Sequence, residues 1–397
     1  MKKTVVSRTV TVPDIMRISR YEKAPEYGPR VLFFSGGTAL TQTSRVLKKF
    51  THNSIHLVTP FDSGGSSAIL RKAFHMPAIG DMRSRMMALA DESISGNPEI
   101  FQLFSHRLPK EAKKKELFVQ LKAMADGKDA RVAAIKNPMR KLITNHLSMF
   151  VEHMPDDFDL KGASIGNLIL AAGYLHHNHK LDPVVFMFTK LVNVLGQVTP
   201  IVNDNLHLAV KLENGDTVCG QHMITGKEVE ELASPIKEFF LVDNLKKPVK
   251  AQAILQKKKK KMISKADLIC YPPGSFYSSI MANLLPKGVG QAISEKQCPK
   301  VYVPSLGNDP ERIGLPVDQS IFRLLDLLKQ DTGRECPSSS LLTHVFIDSE
   351  NGESLKPATK AKLRSEGIDV IDRRLITPQT TPYYDPQLLV MALLSLA

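Results

Sequence analysis

Three short apolar runs each end in a turn of small residues that opens a helical stretch, and this repetition constrains the fold more than any other feature of the chain. Val31-Leu32-Phe33-Phe34 runs into Ser35-Gly36-Gly37-Thr38, after which Leu40, Val46, Leu47 and Phe50 share one helical face. Ile55–Thr59 stops at Pro60, and Phe61-Asp62-Ser63-Gly64-Gly65-Ser66-Ser67 leads into a helix packing Ile69, Leu70, Ala73 and Phe74. Ala266–Tyr271 runs into Pro272-Pro273-Gly274-Ser275-Phe276-Tyr277-Ser278-Ser279. Strand, tight turn and helix in succession open a βαβ unit. Further strand candidates, Lys300–Val303, His344–Ile347 and Asp369–Ile371, alternate with helical segments such as Ile321–Leu328 and Lys360–Glu366. Continuous apolar runs suit strands buried on both faces, so the pattern predicts an α/β, Rossmann-like, mainly parallel sheet with helices on both faces.

Two stretches break the alternation. Residues 84–163 are helical and charged, with breaks near Asp126-Gly127 and Asn137-Pro138, and read as an all-helical insertion or lid. Residues 206–224 read as a hairpin turning at Asn214-Gly215. Between them, Ser164 caps a helix on which Ile165, Leu168, Ile169, Ala172 and Leu175 fall on one face. The expected organisation is an N-terminal extension over 1–29, a core over 30–83 and 164–397, and the insertion over 84–163. A length of 397 residues suits one large domain or a core with an insertion.

Composition removes several classes. With 43% hydrophobic and 23% charged residues, the chain has material for a real core, which argues against disorder or a coiled-coil rod. The longest apolar run, Leu388–Ala397, is too short for a membrane span of roughly 18 residues. The N-terminal stretch is basic but carries no apolar core of a secretory signal, so a cytoplasmic location is expected. The four cysteines, Cys219, Cys270, Cys298 and Cys336, are scattered, which suggests neither a zinc ribbon nor a disulfide framework. His176, His177 and His179 lie at a helix end, where cationic groups suit the dipole better than they suit a metal. The net charge of +13 resides in residues 110–141 and 246–265, and no aromatic residue lies among the lysines of 246–265. Nucleic acid is therefore an unlikely partner, and the Lys257–Lys261 run reads as the solvated middle of a helix.

In an open parallel sheet, ligands bind beyond the carboxyl ends of the strands. The three turns offer glycine backbone, hydroxyls and helix N-termini there, a combination that favours a phosphate-bearing ligand. No GxxxxGK[ST] or GxGxxG occurs, so neither a Walker-type ATPase nor a dinucleotide oxidoreductase is expected. Asp62 stands where either a ribose-binding carboxylate or a ligand for a divalent cation could fall. Asp81 adds a second carboxylate and Arg83 a bidentate phosphate donor, although the two equally suit a surface pair at a helix start.

Five separated segments also resemble, in order, the 2-phospho-L-lactate transferase (CofD) family, and most nearly its YvcK-like branch. They are Ser35–Leu40, Asp62–Arg71, Gly80–Arg83, Gly166–Leu168 and Pro273–Ile280. The resemblance implies a site lined by Gly36, Gly37, Thr38, Asp62, Ser63, Gly64, Gly65, Ser66, Ser67, Asp81, Asn167, Gly274, Ser275, Tyr277 and Ser279. It also implies that the ligand is a nucleoside-diphosphate-linked small molecule. In the transferase branch a phosphoryl-linked group passes to a hydroxyl acceptor with Mg2+, which Asp62 and Asp81 would hold; Asp62, Asp81 and Arg83 would then carry the catalysis. The YvcK-like branch implies instead a non-catalytic UDP-sugar or nucleotide-binding regulator of carbon metabolism or the cell envelope. A homodimer fits the resemblance but is not legible in the sequence. Departures mark a divergent member: Ala39 stands where the family has Gly, Ser63 where it has a second Asp, and Ala68 where the branch has Gly.

Overall fold

A computed structural model describes residues 9–93, 96–226 and 229–397. Its strands are, in chain order, β1 (Val31–Ser35), β2 (Ile55–Val58), β3 (Gln197–Pro200), β4 (His207–Leu212), β5 (Thr217–Cys219), β6 (Ile236–Val242), β7 (Lys250–Ala251), β8 (Leu268–Tyr271), β9 (Lys300–Tyr302), β10 (His344–Ile347) and β11 (Asp369–Asp372). Seven form one sheet in the order β11-β10-β9-β8-β1-β2-β3, and every neighbouring pair is parallel. The expected α/β sheet is present. Successive side chains of a strand point to opposite faces, and β1 shows this: Leu32 and Phe34 enter the core beneath one layer of helices, Val31 and Phe33 the core beneath the other.

The order contains a reversal. From β1 the chain proceeds outwards through β2 to β3, then returns to lay β8 against the other side of β1. A crevice therefore opens between the carboxyl ends of β1 and β8, the switch point at which such sheets take ligands.

Between β2 and β3 lies the helical layer, and it runs further than the expected 84–163. Helices Ile165–His176 and Leu181–Leu191 share one apolar core with Pro98–Ser105, Lys114–Ala125 and Met139–His153, because Leu168 and Phe188 are packed with Phe104 and Phe150. Gly173 permits the closest of these approaches: a Cβ there would stand 2.0 Å from Val184 Cγ2. The N-terminal segment is held by the C-terminal helix Pro386–Leu396, since the Asp14 amide donates to Ser395 Oγ at 2.8 Å and Arg17 Nη1 to the Ser395 carbonyl at 3.1 Å. Among the described residues no helix is long and apolar enough to cross a membrane.

Other expectations needed correction. The hairpin return strand is only Thr217–Cys219; Gly220, at φ +101°, then turns the chain into the short helix Gln221–Ile224. It belongs to a second, antiparallel sheet, β5-β4-β6-β7, of which β6 and β7 carry no clean alternation. The lysine helix spans Lys257–Ser264 and is not solvated throughout: Lys259 is fully buried against Asp182 and Thr199. The helix before the histidine cluster ends as Asn178 and His179 adopt left-handed backbone, and among the described residues no three metal-ligating groups converge.

Candidate functional site

The turn after β1 is shaped from below by a residue that no motif singled out. Arg85, on helix Gly80–Leu89, is 1% exposed. Its Nη2 donates to the Gly36 and Gly37 carbonyls at 3.1 and 3.0 Å, and its Nη1 to Ser44 Oγ at 2.7 Å. In a trans peptide the C=O and the following N–H point opposite ways. Pinning both carbonyls inwards therefore directs the Gly37 and Thr38 amides away from Arg85 and towards the crevice. Burial lowers the Arg85 pKa to about 10 against the opposing pull of Asp81, so the guanidinium is charged at neutral pH.

The second turn is fixed in the same manner. Arg71, 5% exposed, donates to the Phe61 and Asp62 carbonyls at 3.2 and 3.0 Å and to the Leu206 carbonyl at 2.6 Å. Asp62 Oδ1 accepts from the Gly64 amide at 3.1 Å, an Asx turn that leaves the carboxylate at the mouth of the helix Gly65–Phe74. Asp81 approaches from the opposite side. A Cβ on Gly37 would stand 3.0 Å from Asp81 Oδ1, and one on Gly80 would stand 2.6 Å from Ser67 Oγ and 3.6 Å from Asp62 Oδ2. Gly37 thus leaves room for the Asp81 carboxylate, and Gly80 for Ser67 with Asp62 beyond it.

The third turn differs from expectation in its hydrogen bonding. The Phe276 amide donates to Asp309 Oδ2 at 2.8 Å, and the Tyr277 and Ser278 amides to Glu311 Oε2, also at 2.8 Å. Ser278 Oγ donates to Glu311 Oε1, and the Gly274 amide to Ser305 Oγ at 2.7 Å. Carboxylates of the chain itself already occupy the amides that were expected to hold an anion. What this turn offers the crevice is hydroxyl groups. Ser279 also packs so closely on the first turn that a Cβ on Gly36 would lie 2.3 Å from its Oγ.

These turns enclose one cleft of about 710 Å³, counting its open mouth. Gly36, Gly37, Thr38, Asp62, Asp81, Gly274, Ser275 and Ser279 line it together with Thr59, Ser278 and Gln221, the last supplied by the short helix that follows β5. The other expected residues lie outside that lining. Ser63 Oγ is bonded to His222 Nδ1 at 2.8 Å, and Gly64 and Gly65 shape the turn, the latter at φ +46°. Ser66 Oγ accepts from Asn167 Nδ2 at 2.8 Å, which places both one layer behind the cleft, and Ser67 is buried under Gly80. Tyr277 faces away and stacks edge-on with Phe239 of β6. Arg83 does not reach the cleft either. Two residues along a helix turn the side chain through roughly 200°, so Arg83 faces the helical layer while Asp81 and Arg85, four apart, face the glycine turn.

A parallel sheet with a reversed strand order, and a cleft of glycine turns, hydroxyls and two carboxylates at its carboxyl edge, defines a Rossmann-type α/β protein whose candidate site is polar. The chain belongs to the 2-phospho-L-lactate transferase CofD family, whose model matches residues 31–376. It is similar to the gluconeogenesis factor of Bacillus subtilis (29% identity over 361 residues, covering 88% of this chain and 92% of that one). A Thermoanaerobacterium thermosulfurigenes protein given the same name provisionally is 32% identical over 298 residues, 75% of this chain and 74% of that one. The crystal structure of a UPF0052 family member from Bacillus halodurans shares the fold, with a TM-score of 0.63 at 24% identity, covering 92% of this chain and 99% of that chain. The family and branch implied by the five motifs are those found.

Proposed function

We propose that the cleft binds a nucleoside-diphosphate-linked metabolite, with the diphosphate on the first two turns and the uncharged part of the ligand against the hydroxyls of the third. The observation carrying this is the buried Arg85, which turns the Gly37 and Thr38 amides towards a cleft that also holds Asp62 and Asp81. Main-chain N–H groups so oriented make an anion seat. The two carboxylates that line the cleft would repel a diphosphate unless a cation joined them. Asp62 and Asp81 would hold Mg2+, with phosphate oxygens and water completing its six ligands. When bound, the ion supplies charge neutralisation at the phosphates. The chain's own part in a transfer would be to fix the diphosphate on the Gly37 and Thr38 amides and to let Asp81 accept the proton of an attacking hydroxyl.

A second reading has its own support. Ser63, standing where the family has a second Asp, is tied to His222, so this position serves the fold and brings no charge to the cleft. With relatives named as gluconeogenesis factors, this favours a regulator that holds a nucleotide sugar without converting it. Calorimetric titration with GDP, UDP and UDP-N-acetylglucosamine, with and without Mg2+, tests the binding. No heat with any of them ends both readings. Ligand recovered intact after long incubation selects the regulator; a released product that disappears in Asp62→Ala selects the transferase.

A further inference from the structure

The second sheet has an open edge, and a helix runs beside it. On one side β6 pairs with β4 along its length, whereas on the other β7 pairs only with its last residues, Leu241 and Val242. The stretch Ile236–Phe240 therefore has no strand on that second side. Main-chain groups of a strand in an antiparallel sheet point to its two sides in alternation. The Asp243 amide donates across to the Val249 carbonyl at 3.2 Å, so Leu241 and Phe239 turn their N–H and C=O the same way. The Lys237 carbonyl is also directed there, because Arg323 of helix Val317–Thr332 donates to it from Nη2 at 2.6 Å.

Between strand and helix lie two adjoining hollows of about 890 and 700 Å³, counting their open mouths. Lys237, Arg323 and Asp326 border both, so the two are halves of one groove. The hollow with the earlier residues of β6 also has the earlier residues of the helix, so both elements run along the groove in one direction. The five steps from Pro235 to Phe240 and the eleven from Gln319 to Gln330 each cover roughly 17 Å. At its middle, the Arg323 guanidinium stands where the N–H of a further strand would reach the Lys237 carbonyl. Among the described residues Arg323 forms no ion pair. Apolar side chains flank it at both ends, Leu315 and Phe322 in one hollow, Phe239 and Leu327 in the other. The third turn separates this groove from the cleft, since Tyr277 borders the groove and Ser278 the cleft.

We propose that the groove takes an extended peptide segment of a partner protein, which adds to the open edge of β6 as a further strand. A central Asp or Glu of that segment lies against Arg323, with apolar residues two places before and after it. Alternate residues of a strand face one side, which sets that spacing. Main-chain hydrogen bonds then supply the affinity and the hollows the selectivity, as in other strand additions. The proposal is independent of what the cleft binds. A merely protective Arg323, of the kind that blunts many sheet edges, would leave the edge closed to any strand.

Selection of a displayed library of random heptapeptides on the full chain tests this. We expect enrichment of the pattern apolar-x-acid-x-apolar, and a synthetic copy of the enriched peptide should slow hydrogen exchange over Ile236–Phe240. N-methylation of alternate peptide amides should abolish binding for one set and spare it for the other, since only one set faces β6. Neither readout requires a change to the protein. Arg323→Gln should weaken binding roughly tenfold, the worth of a hydrogen bond to a charged group. Failure to enrich any peptide overturns the proposal, as does an enriched peptide that leaves exchange over Ile236–Phe240 unchanged or tolerates both methylated sets. Binding that Arg323→Gln leaves unaltered overturns the place given to the acid. If exchange at this edge instead slows as the chain alone is concentrated, a second copy occupies it and the peptide reading falls.

Discussion

At the scale of single residues, the site is organised by contacts that tolerate almost no added volume. Gly36 meets Ser279 so closely that one methyl group must displace it: Ser279 Oγ and Cβ would lie 2.3 and 2.7 Å from the new Cβ, and its Cα 3.2 Å. Gly36→Ala should therefore push the first and third turns apart. The expected cost is about 1–3 kcal/mol of stability, as for other overpacked positions, together with weaker ligand binding. Ser279→Gly removes the two nearest atoms, so the double variant should recover most of the lost stability in urea unfolding. No recovery would mean that the damage comes from backbone at Gly36 and not from this contact. The sequence made the glycines visible but not their reason. It also favoured Arg83 over Arg85, since a lone motif Arg beside Asp81 looked like a phosphate donor. Only the helical phase relative to the sheet separates them, and phase depends on which face the neighbouring core occupies.

At the scale of elements, the strands that face two cores were legible, because β1 and β8 are short apolar runs, and β2, β9 and β10 apolar runs with one His or Lys each, all bounded by turn residues. β3, with the sequence Gln-Val-Thr-Pro, is buried by its neighbours and not by its own hydrophobicity, so nothing local announced it. The third turn was placed correctly and its chemistry was not. Asp309 and Glu311 lie more than thirty residues further along the chain and meet it only in the fold. Their presence has a consequence for pH. Burial, then the charge of Asp309, raises Glu311 from the ordinary 4.5 to about 7, against the hydrogen bonds from Ser278 and Tyr277. An acid raised in this way binds its proton more tightly folded than unfolded. Its contribution to stability is thus complete below about pH 4.5 and declines as pH rises to about 7. The span amounts to roughly 3 kcal/mol. Glu311→Gln keeps an acceptor for the two amides and cannot ionise, so its urea midpoint should change less between pH 5 and 7.5 than that of the unaltered chain. Parallel pH profiles for the two would show that Glu311 does not titrate in this range.

At the scale of the molecule, the helical layer and the parallel sheet are joined through charge as well as apolar packing, and Lys259 shows how. It starts from the lysine helix that precedes β8, is completely buried, and reaches Asp182 Oδ1 at 3.4 Å on the helical layer and Thr199 Oγ1 on the edge strand β3. A run of five lysines reads as solvated surface in sequence because four of them are. The fifth is withdrawn by a carboxylate more than seventy residues earlier. Asp182 also meets Lys258 at 3.3 Å and stays one-third exposed, so solvent screens part of its charge. The partners should then respond unequally. Asp182→Asn leaves the Lys259 ammonium buried with a hydroxyl as its chief partner, and we expect a loss of about 1–3 kcal/mol. Lys259→Met keeps the length of the side chain and removes the buried charge, and should cost under about 1 kcal/mol. The double variant should then behave like Lys259→Met alone, because the Asp182 change matters only while a buried charge depends on it. Thermal or urea unfolding of the three proteins reads this directly. If Lys259→Met proves the more damaging, its hydrogen bond to Thr199, and not charge, is what binds the lysine helix to the edge of the sheet.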